Sequence, residues 1–293
     1  MRILLYKRYI MSYMKVPTLS KALFYCSLAY YKLTSPFECS NYRIKLLISE
    51  FSFMLAMLGL RKLQSRYSRE ITLLTKFGTF RIRDLETDIV IASPSYERPD
   101  INELLQRMNE SLRSGNKVVF IDVGASFGKY TIAIGSKLRR YGKQLSIYSF
   151  EPEPESYELL QKNIKLNNLT NVKTFPYILS NSKATRLFYY YSPMKQIVSS
   201  RTDKPIYMHT RTLDSFIPYF RQSNMTSLFI KLDVEEHEIN VLKGGNKVVH
   251  LSKHTTLLIE DSAPAIARSL GTYLSRYWKF LVKKTTYNSF WGI

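Results

Sequence analysis

From Val118 onward, short apolar runs alternate with segments that are apolar on one side only. Val118–Val123 has the pattern of a strand covered on both faces. Leu145–Phe150, Val172–Leu179, Leu228–Leu232 and Thr255–Ile259 read as further strands, and Tyr130–Leu138, Glu155–Leu166 and Glu238–Val249 as the helices among them. Strand–helix alternation over this length predicts an α/β fold with a doubly wound, mostly parallel sheet. Upstream, Ile71–Lys76 and Phe80–Arg83 flank Gly78 as a hairpin. Asp100 is expected to cap a helix that places Ile101, Leu104, Leu105 and Met108 on its apolar side and stops at Gly115–Asn116. Near the end, Ala263–Leu274 looks helical and Lys279–Ile293 strand-like. The chain then divides into an extension over 1–69, a hairpin-and-helix lead-in over 70–116 and an α/β domain over 117–293.

The extension has a different texture. Gly59 is its one glycine, and tyrosines (Tyr6, Tyr9, Tyr13, Tyr25, Tyr30, Tyr31, Tyr42 and Tyr67) are interleaved with Lys and Arg. Its longest apolar piece, Ile44–Leu60, carries Glu50 and is flanked by basic residues on both sides. It is read first as a helix packed on the domain, then as an interfacial helix, and last as a membrane span, because a carboxylate inside lipid is costly and a one-sided positive flank is missing.

Composition changes the picture in two ways. A hydrophobic fraction of 45% and a charged fraction of 23% exclude wholesale disorder, and two cysteines, Cys26 and Cys39, exclude a disulfide scaffold or a thiolate zinc site. The net charge of +20 is the outlier: residues 1–69 carry 12 basic residues against Glu38 and Glu50, half of that excess in a quarter of the chain. Such a segment is attracted to phosphate. Its Tyr content and the 44–60 run favour peripheral membrane contact over nucleic acid. No charged start, short apolar core and small-residue cleavage site follow in order, so no cleaved signal peptide is expected and the protein is placed in the cytoplasm, with membrane association open.

Candidate chemistry gathers at the carboxyl ends of the predicted strands, where open α/β sheets bind ligands. Asp122-Val123-Gly124-Ala125-Ser126-Phe127-Gly128 follows the first parallel strand and opens a helix. Its glycine spacing fails the dinucleotide fingerprint, since Ser126 and Lys129 stand where glycines are needed. Glu151 ends the next strand, where an acid suits ribose hydroxyls. Ser180 and Asn181 end the third, where they either flank an adenine or serve as ordinary turn residues. Asp233, Glu235, Glu236, His237 and Glu238 crowd the point where another apolar strand gives way to a helix. Acids at a helix start also complement its dipole.

These motifs carry a resemblance. The D-x-G-x-x-x-G loop is similar to motif I of class I S-adenosylmethionine-dependent methyltransferases. Residues 230–245, I-K-L-D-V-E-E-H-E-I-N-V-L-K-G-G, resemble the signature of the FkbM-type methyltransferases. Residues 118–128, 149–154, 163–169, 211–216 and 257–260 resemble its other landmarks, as do the hairpin and Asp88, so the likeness covers residues 70–293. The family usually has glycine where this chain has Glu236. The resemblance implies a Rossmann-like class I methyltransferase fold; the basic extension before it, read as helical, lies outside the likeness. It further implies S-adenosylmethionine as cofactor and metal-independent methyl transfer to a hydroxyl of a sugar, glycan or small-molecule acceptor. Asp122, Gly124, Ala125, Ser126, Gly128, Glu151, Ser180 and Asn181 would then hold the cofactor. Asp233 and Glu235 would line the reacting centre, with His237 and, behind it, His209 as further bases. An oxygen-ligand metal site at Asp233, Glu260 and Asp261 is the disfavoured variant. The alternative reading is a methyltransferase-like scaffold impaired at Glu236, whose basic start binds a membrane surface or nucleic acid.

Overall fold

A computed structural model describes residues 46–48, 70–83, 88–94, 96–188, 206–221, 224–234, 237–260, 272–275, 280–284 and 288–292. The chain forms two compact units, residues 1–76 with 80–96, and residues 77–79 with 97–293.

In the first unit, β1 (Leu46–Ile48) pairs in parallel with β2 (Ile71–Thr75), and β3 (Gly78–Ile82) completes a three-stranded order β1-β2-β3. Leu46–Ile48 is thus a strand where a helix over 44–60 was expected. Three apolar residues ending in β-branched Ile48 suit a strand, and pairing with β2 satisfies their backbone groups locally. The other residues of the extension lie outside the described ones. The hairpin is found as expected, and α1 (Asp88–Ala92) follows it. Asp88 is buried and accepts from Arg83 three times, from its backbone N at 2.8 Å, its Nε at 3.0 Å and its Nη2 at 3.0 Å. This two-pronged guanidinium contact fixes both orientation and charge.

The second unit is built on a seven-stranded sheet. Its strands are β4 (Val118–Val123), β5 (Leu145–Phe150), β6 (Val172–Phe175), β10 (Ser227–Leu232), β11 (His254–Glu260), β12 (Phe280–Lys284) and β13 (Asn288–Gly292), in the order β12-β13-β11-β10-β4-β5-β6. Neighbours from β11 through β6 are parallel, and β13 runs antiparallel to both β11 and β12. The strand order reverses beside β4, the first strand laid down, which creates the crevice expected of doubly wound sheets. Every residue of β4 and β10 is buried. α2 (Arg98–Arg113), α3 (Lys129–Lys137), α4 (Pro154–Leu166), α5 (Ile217–Arg221) and α6 (Glu238–Gly244) accompany the sheet.

Three expectations are corrected. The run Val172–Leu179 is two strands: β6 ends before Pro176, which cannot donate to a ladder, and β7 (Ile178–Leu179) instead joins β8 (Ala184–Phe188) and β9 (Ile206–Arg211) in a small sheet of order β7-β9-β8. Asp100 does not cap α2, because Pro99 in the first turn starts the helix earlier. Asp100 is buried instead, and its Oδ2 accepts from Asn288 Nδ2 at 2.9 Å. α6 is shorter than its apolar pattern, ending at Gly244, and a separate turn at Val248–His250 follows. A Cβ on Gly244 would stand 2.0 Å from the Ser180 carbonyl oxygen, so this helix end is pressed onto the chain after β7. The expected helix Ala263–Leu274 is described only over 272–275, where it is helical. Among the described residues no helix is long and apolar enough to cross a membrane.

Asn167 ties distant parts of this unit together. Its Oδ1 accepts from Thr79 N at 2.9 Å, while its Nδ2 donates to Thr79 O at 2.6 Å and to Asn163 O at 2.8 Å. Losing these buried bonds in Asn167→Ala is expected to lower stability by about 2–3 kcal/mol. Urea unfolding measures this, and an unchanged midpoint would contradict the clamp.

Candidate active site

The register of three strands sets the site. Val123 of β4 pairs with Phe150 of β5 and with Leu232 of β10. The next residues, Gly124, Glu151 and Asp233, therefore stand in one row across the carboxyl edge of the sheet. Backbone bonds continue past the strand ends: Gly124 N and Ala125 N both donate to Phe150 O at 3.0 Å, and Asp233 N donates to Val123 O at 3.1 Å.

The glycines serve close approach. Gly124 has φ +77°, and a Cβ there would fall 1.9 Å from the Asp233 carbonyl oxygen. Gly128, at φ +100°, opens α3 against Leu160, where a Cβ would come within 2.7 Å. Between them Ser126 adopts φ +50°, a left-handed conformation uncommon for a residue with a side chain. The loop is pinned from two sides. Ser126 N donates to Glu151 Oε2 at 2.7 Å, and Asn163 Nδ2 donates to the Phe127 carbonyl at 2.8 Å. Ala125 is buried beside them.

Glu151 is only 7% exposed. Its Oε1 accepts from Glu153 N at 2.9 Å, so each oxygen takes one backbone N–H. Burial nevertheless pushes its carboxyl up to about 7, outweighing those two bonds. Each oxygen keeps a lone pair for a hydroxyl donor. Asp122 is fully buried, and its Oδ2 accepts from Thr131 N at 3.1 Å and Thr131 Oγ1 at 2.7 Å. It thereby anchors the first turn of α3 rather than facing a ligand with that oxygen. Burial raises its pKa, against the pull of Lys231 and of Thr131.

Lys231 is the central group that sequence reasoning passed over. It is 5% exposed, inside a strand that is otherwise apolar apart from its first residue. Its Nζ donates to the Gly124 carbonyl at 3.2 Å and to Asp233 Oδ2 at 3.1 Å, and lies 3.9 Å from Asp122 Oδ1. It also sits 5.0 Å from the centre of the Tyr130 ring. Burial alone works against the ammonium, but Asp233, Asp122 and Glu97 outweigh it and hold its pKa above the ordinary lysine value. The signal in the sequence was a single cation in an apolar strand. Glu97 had no signal at all. It precedes α2, and its carboxyl is pushed up to about 7, first by burial and then by the charge of Asp233.

The remaining predicted residues fall into place around this row. Half-buried Asp233 lies against the glycine loop. Glu235 and Glu236 lie outside the described residues. His237 stands at the start of α6 with its Nε2 3.0 Å from Ser180 Oγ and its Nδ1 3.1 Å from Asn240 Nδ2. An amide nitrogen can only donate, so Nδ1 accepts and, in the neutral ring, Nε2 carries the proton toward Ser180. The imidazole thus links the start of α6 to the end of β7. Ser180 is buried and Asn181 exposed. His209 is exposed on the small sheet, with its Nδ1 3.1 Å from Thr185 Oγ1, and is not brought into the row. Among the described residues no group of His, Cys, Asp or Glu is arranged to hold a metal ion. Asp261 of the metal variant lies outside them.

Comparison with known proteins adds the following. Residues 122–281 match the model of the methyltransferase FkbM domain. No curated protein sequence matches the chain. Among solved structures, a SAM-dependent methyltransferase from Aquifex aeolicus is similar at 12% identity and a TM-score of 0.33, over 67% of this chain and 97% of that one. Cofactor-bound Rv0187 from MTB is similar at 10% identity and 0.40, over 68% and 78%. An rRNA methylase from Streptococcus thermophilus is similar at 8% identity and 0.31, over 60% and 85%.

The raised carboxyl of Glu151 has a consequence for stability. A folded-state value near 7 against an unfolded value of 4.5 means that the folded protein holds this proton more tightly. The corresponding stability is complete below the unfolded value and is lost as pH rises through 7. Between pH 5 and 8 the wild type is expected to lose about 2–3 kcal/mol more than Glu151→Gln. Denaturant unfolding across that range measures it, and parallel pH curves for the two proteins would contradict it.

Proposed function

The chain belongs to the FkbM methyltransferase family, whose methyl donor is S-adenosylmethionine, and on that premise we propose that it methylates a hydroxyl oxygen of a sugar, glycan or small-molecule acceptor. The observation that supports this most is the single row of Gly124, Glu151 and Asp233 along one sheet edge.

The residues fit the donor. Gly124 has no room for a Cβ and carries the loop with its backbone bare. The start of α3 offers N–H groups to a carboxylate. Glu151 has lone pairs left for a pair of ribose hydroxyls, and Ser180 and Asn181 stand past β7 for the base. Asp122 acts from behind, holding Thr131 and with it the loop. When bound, the donor supplies an electrophilic methyl group on a positively charged sulfur.

The chain's own task is then alignment and proton handling. We assign Asp233, whose Oδ2 is held by Lys231 beside the glycine loop, to the acceptor hydroxyl, and Glu235 joins it on the family resemblance. Lys231 keeps Asp233 at the loop. Holding oxygen, carbon and sulfur in line is a large part of what such a site contributes, and a carboxylate within reach of the hydroxyl supplies the rest.

Titration calorimetry with S-adenosylmethionine and its demethylated product tests the pocket. The wild type is expected to bind both, and Glu151→Ala to weaken binding by about 1–3 kcal/mol, the cost of removing a buried polar partner. Labelled methyl groups transferred to candidate sugars are expected to survive mild alkali, as ethers do and carboxyl esters do not. Failure of the wild type to bind either nucleoside contradicts the pocket. Alkali-labile label contradicts the hydroxyl.

A further inference from the structure

The acidic loop between β10 and α6 begins at Asp233 and finishes at His237, and both ends are fastened. At the start, Lys231 Nζ donates to Asp233 Oδ2 at 3.1 Å and to the Gly124 carbonyl at 3.2 Å, so one ammonium holds the glycine loop and the acidic loop together. Asp233 N adds a backbone bond to Val123 O at 3.1 Å. At the finish, His237 Nε2 lies 3.0 Å from Ser180 Oγ, and Asn240 Nδ2, 3.1 Å from Nδ1, sets the ring. The two ends also meet each other: Val234 N donates to Glu238 Oε1 at 3.2 Å, and Glu238 is buried.

α6 bears on Ser180 from its other end as well. A Cβ on Gly244 would stand 2.0 Å from the Ser180 carbonyl oxygen and 2.9 Å from its carbon. Ser180 is itself held, buried and donating from its N to Arg211 O at 2.8 Å. A series of contacts therefore runs from Gly124 through Lys231, Asp233, Glu238 and His237 to Ser180. Its two terminal members are residues that the cofactor reading places at different parts of the donor, Gly124 in the glycine loop and Ser180 past β7 for the base. Its middle holds Asp233, the residue assigned to the acceptor hydroxyl. Coupling between sites is carried by connected hydrogen-bond networks of this kind. A span fastened at both ends to ordered elements loses its freedom, while one fastened at a single end keeps much of it.

We propose that Lys231 and His237 are positioning residues that make the place of Asp233 depend on the donor. A molecule lying from Gly124 to Ser180 orders both anchors at once, and the acidic loop strung between them is ordered with them. The inference rests on the cofactor reading above, which puts Gly124 and Ser180 in the donor pocket. Neither positioning residue has to touch donor or acceptor to act in this way. The acceptor then meets a formed site only once the donor is in place, and by linkage the acceptor strengthens donor binding by the same factor. Such an order suits a reaction in which the acceptor oxygen has to be aligned with a methyl group already present.

The test needs no acceptor. Hydrogen–deuterium exchange is followed on the full chain, with and without a saturating amount of the demethylated product of S-adenosylmethionine. In the wild type this ligand is expected to slow exchange at 124–128 and also at 234–240, in the second region by about fivefold, the share of one hydrogen bond. His237→Ala and Lys231→Met each cut one anchor. In both, the ligand is expected to go on slowing 124–128 and to leave 234–240 as it is in the free variant. Comparing each variant with and without ligand separates coupling from simple loosening, which raises exchange in both states and leaves their ratio unchanged. His237→Ala carries the test alone should Lys231→Met not fold. Slowing confined to 124–128 in the wild type, or slowing at 234–240 that persists in either variant, overturns the proposal and leaves the cofactor reading intact. No slowing at 124–128 in the wild type overturns both.

Discussion

A lysine ammonium buried in a β-strand has to be answered by negative charge, and the architecture of the site follows from how Lys231 is answered. An uncompensated ion at that depth would be far too costly to keep. The Gly124 carbonyl, the Asp233 carboxylate and the more distant Asp122 surround it, with the Tyr130 ring on another side. Two of these partners belong to the glycine loop or the strand before it, and one to the acidic loop. The same ammonium therefore fastens two loops that are far apart in sequence, and does so at the row where the three strands end. The tight fit of Gly124 against the Asp233 carbonyl follows from that closeness.

Around this centre the protein divides its carboxylates by environment. Asp122 and Asp233 are tied to named donors. Glu151 and Glu97 are pushed toward neutrality chiefly by burial. Acids of one chemical type are thereby held in different states: one anchors a helix, one holds the acidic loop to the glycine loop, and two lie closer to their neutral form. Separation of proton affinity among neighbouring groups is a recurring way for a single site to run acid and base chemistry near pH 7.

Much of the frame was legible in the chain. The apolar run at Val118–Val123 and its successors gave the strands because burial on both faces leaves few polar residues to blur the pattern. Gly124, Glu151 and Asp233 could be placed on one edge because each directly follows such a run. Other features were visible but misread. Pro176 was in plain view and splits two strands that were taken as one. Asp100 looked like a helix cap until Pro99 and the distant Asn288 gave it another place. Lys231 could not be assigned from sequence, because its role depends on contacts across the fold that no local periodicity encodes. His237 stood out in the chain as a candidate, while its contact with Ser180 depends on the fold and had no local signal.

The central claim is that Lys231 couples the glycine loop to the acidic loop. Hydrogen–deuterium exchange on Lys231→Met, a variant that keeps the length of the side chain and removes its charge, tests it most directly. The account predicts faster exchange in the backbone amides of both 124–128 and 233–238, with β5 unchanged. Acceleration in one loop alone, or in neither, would contradict it.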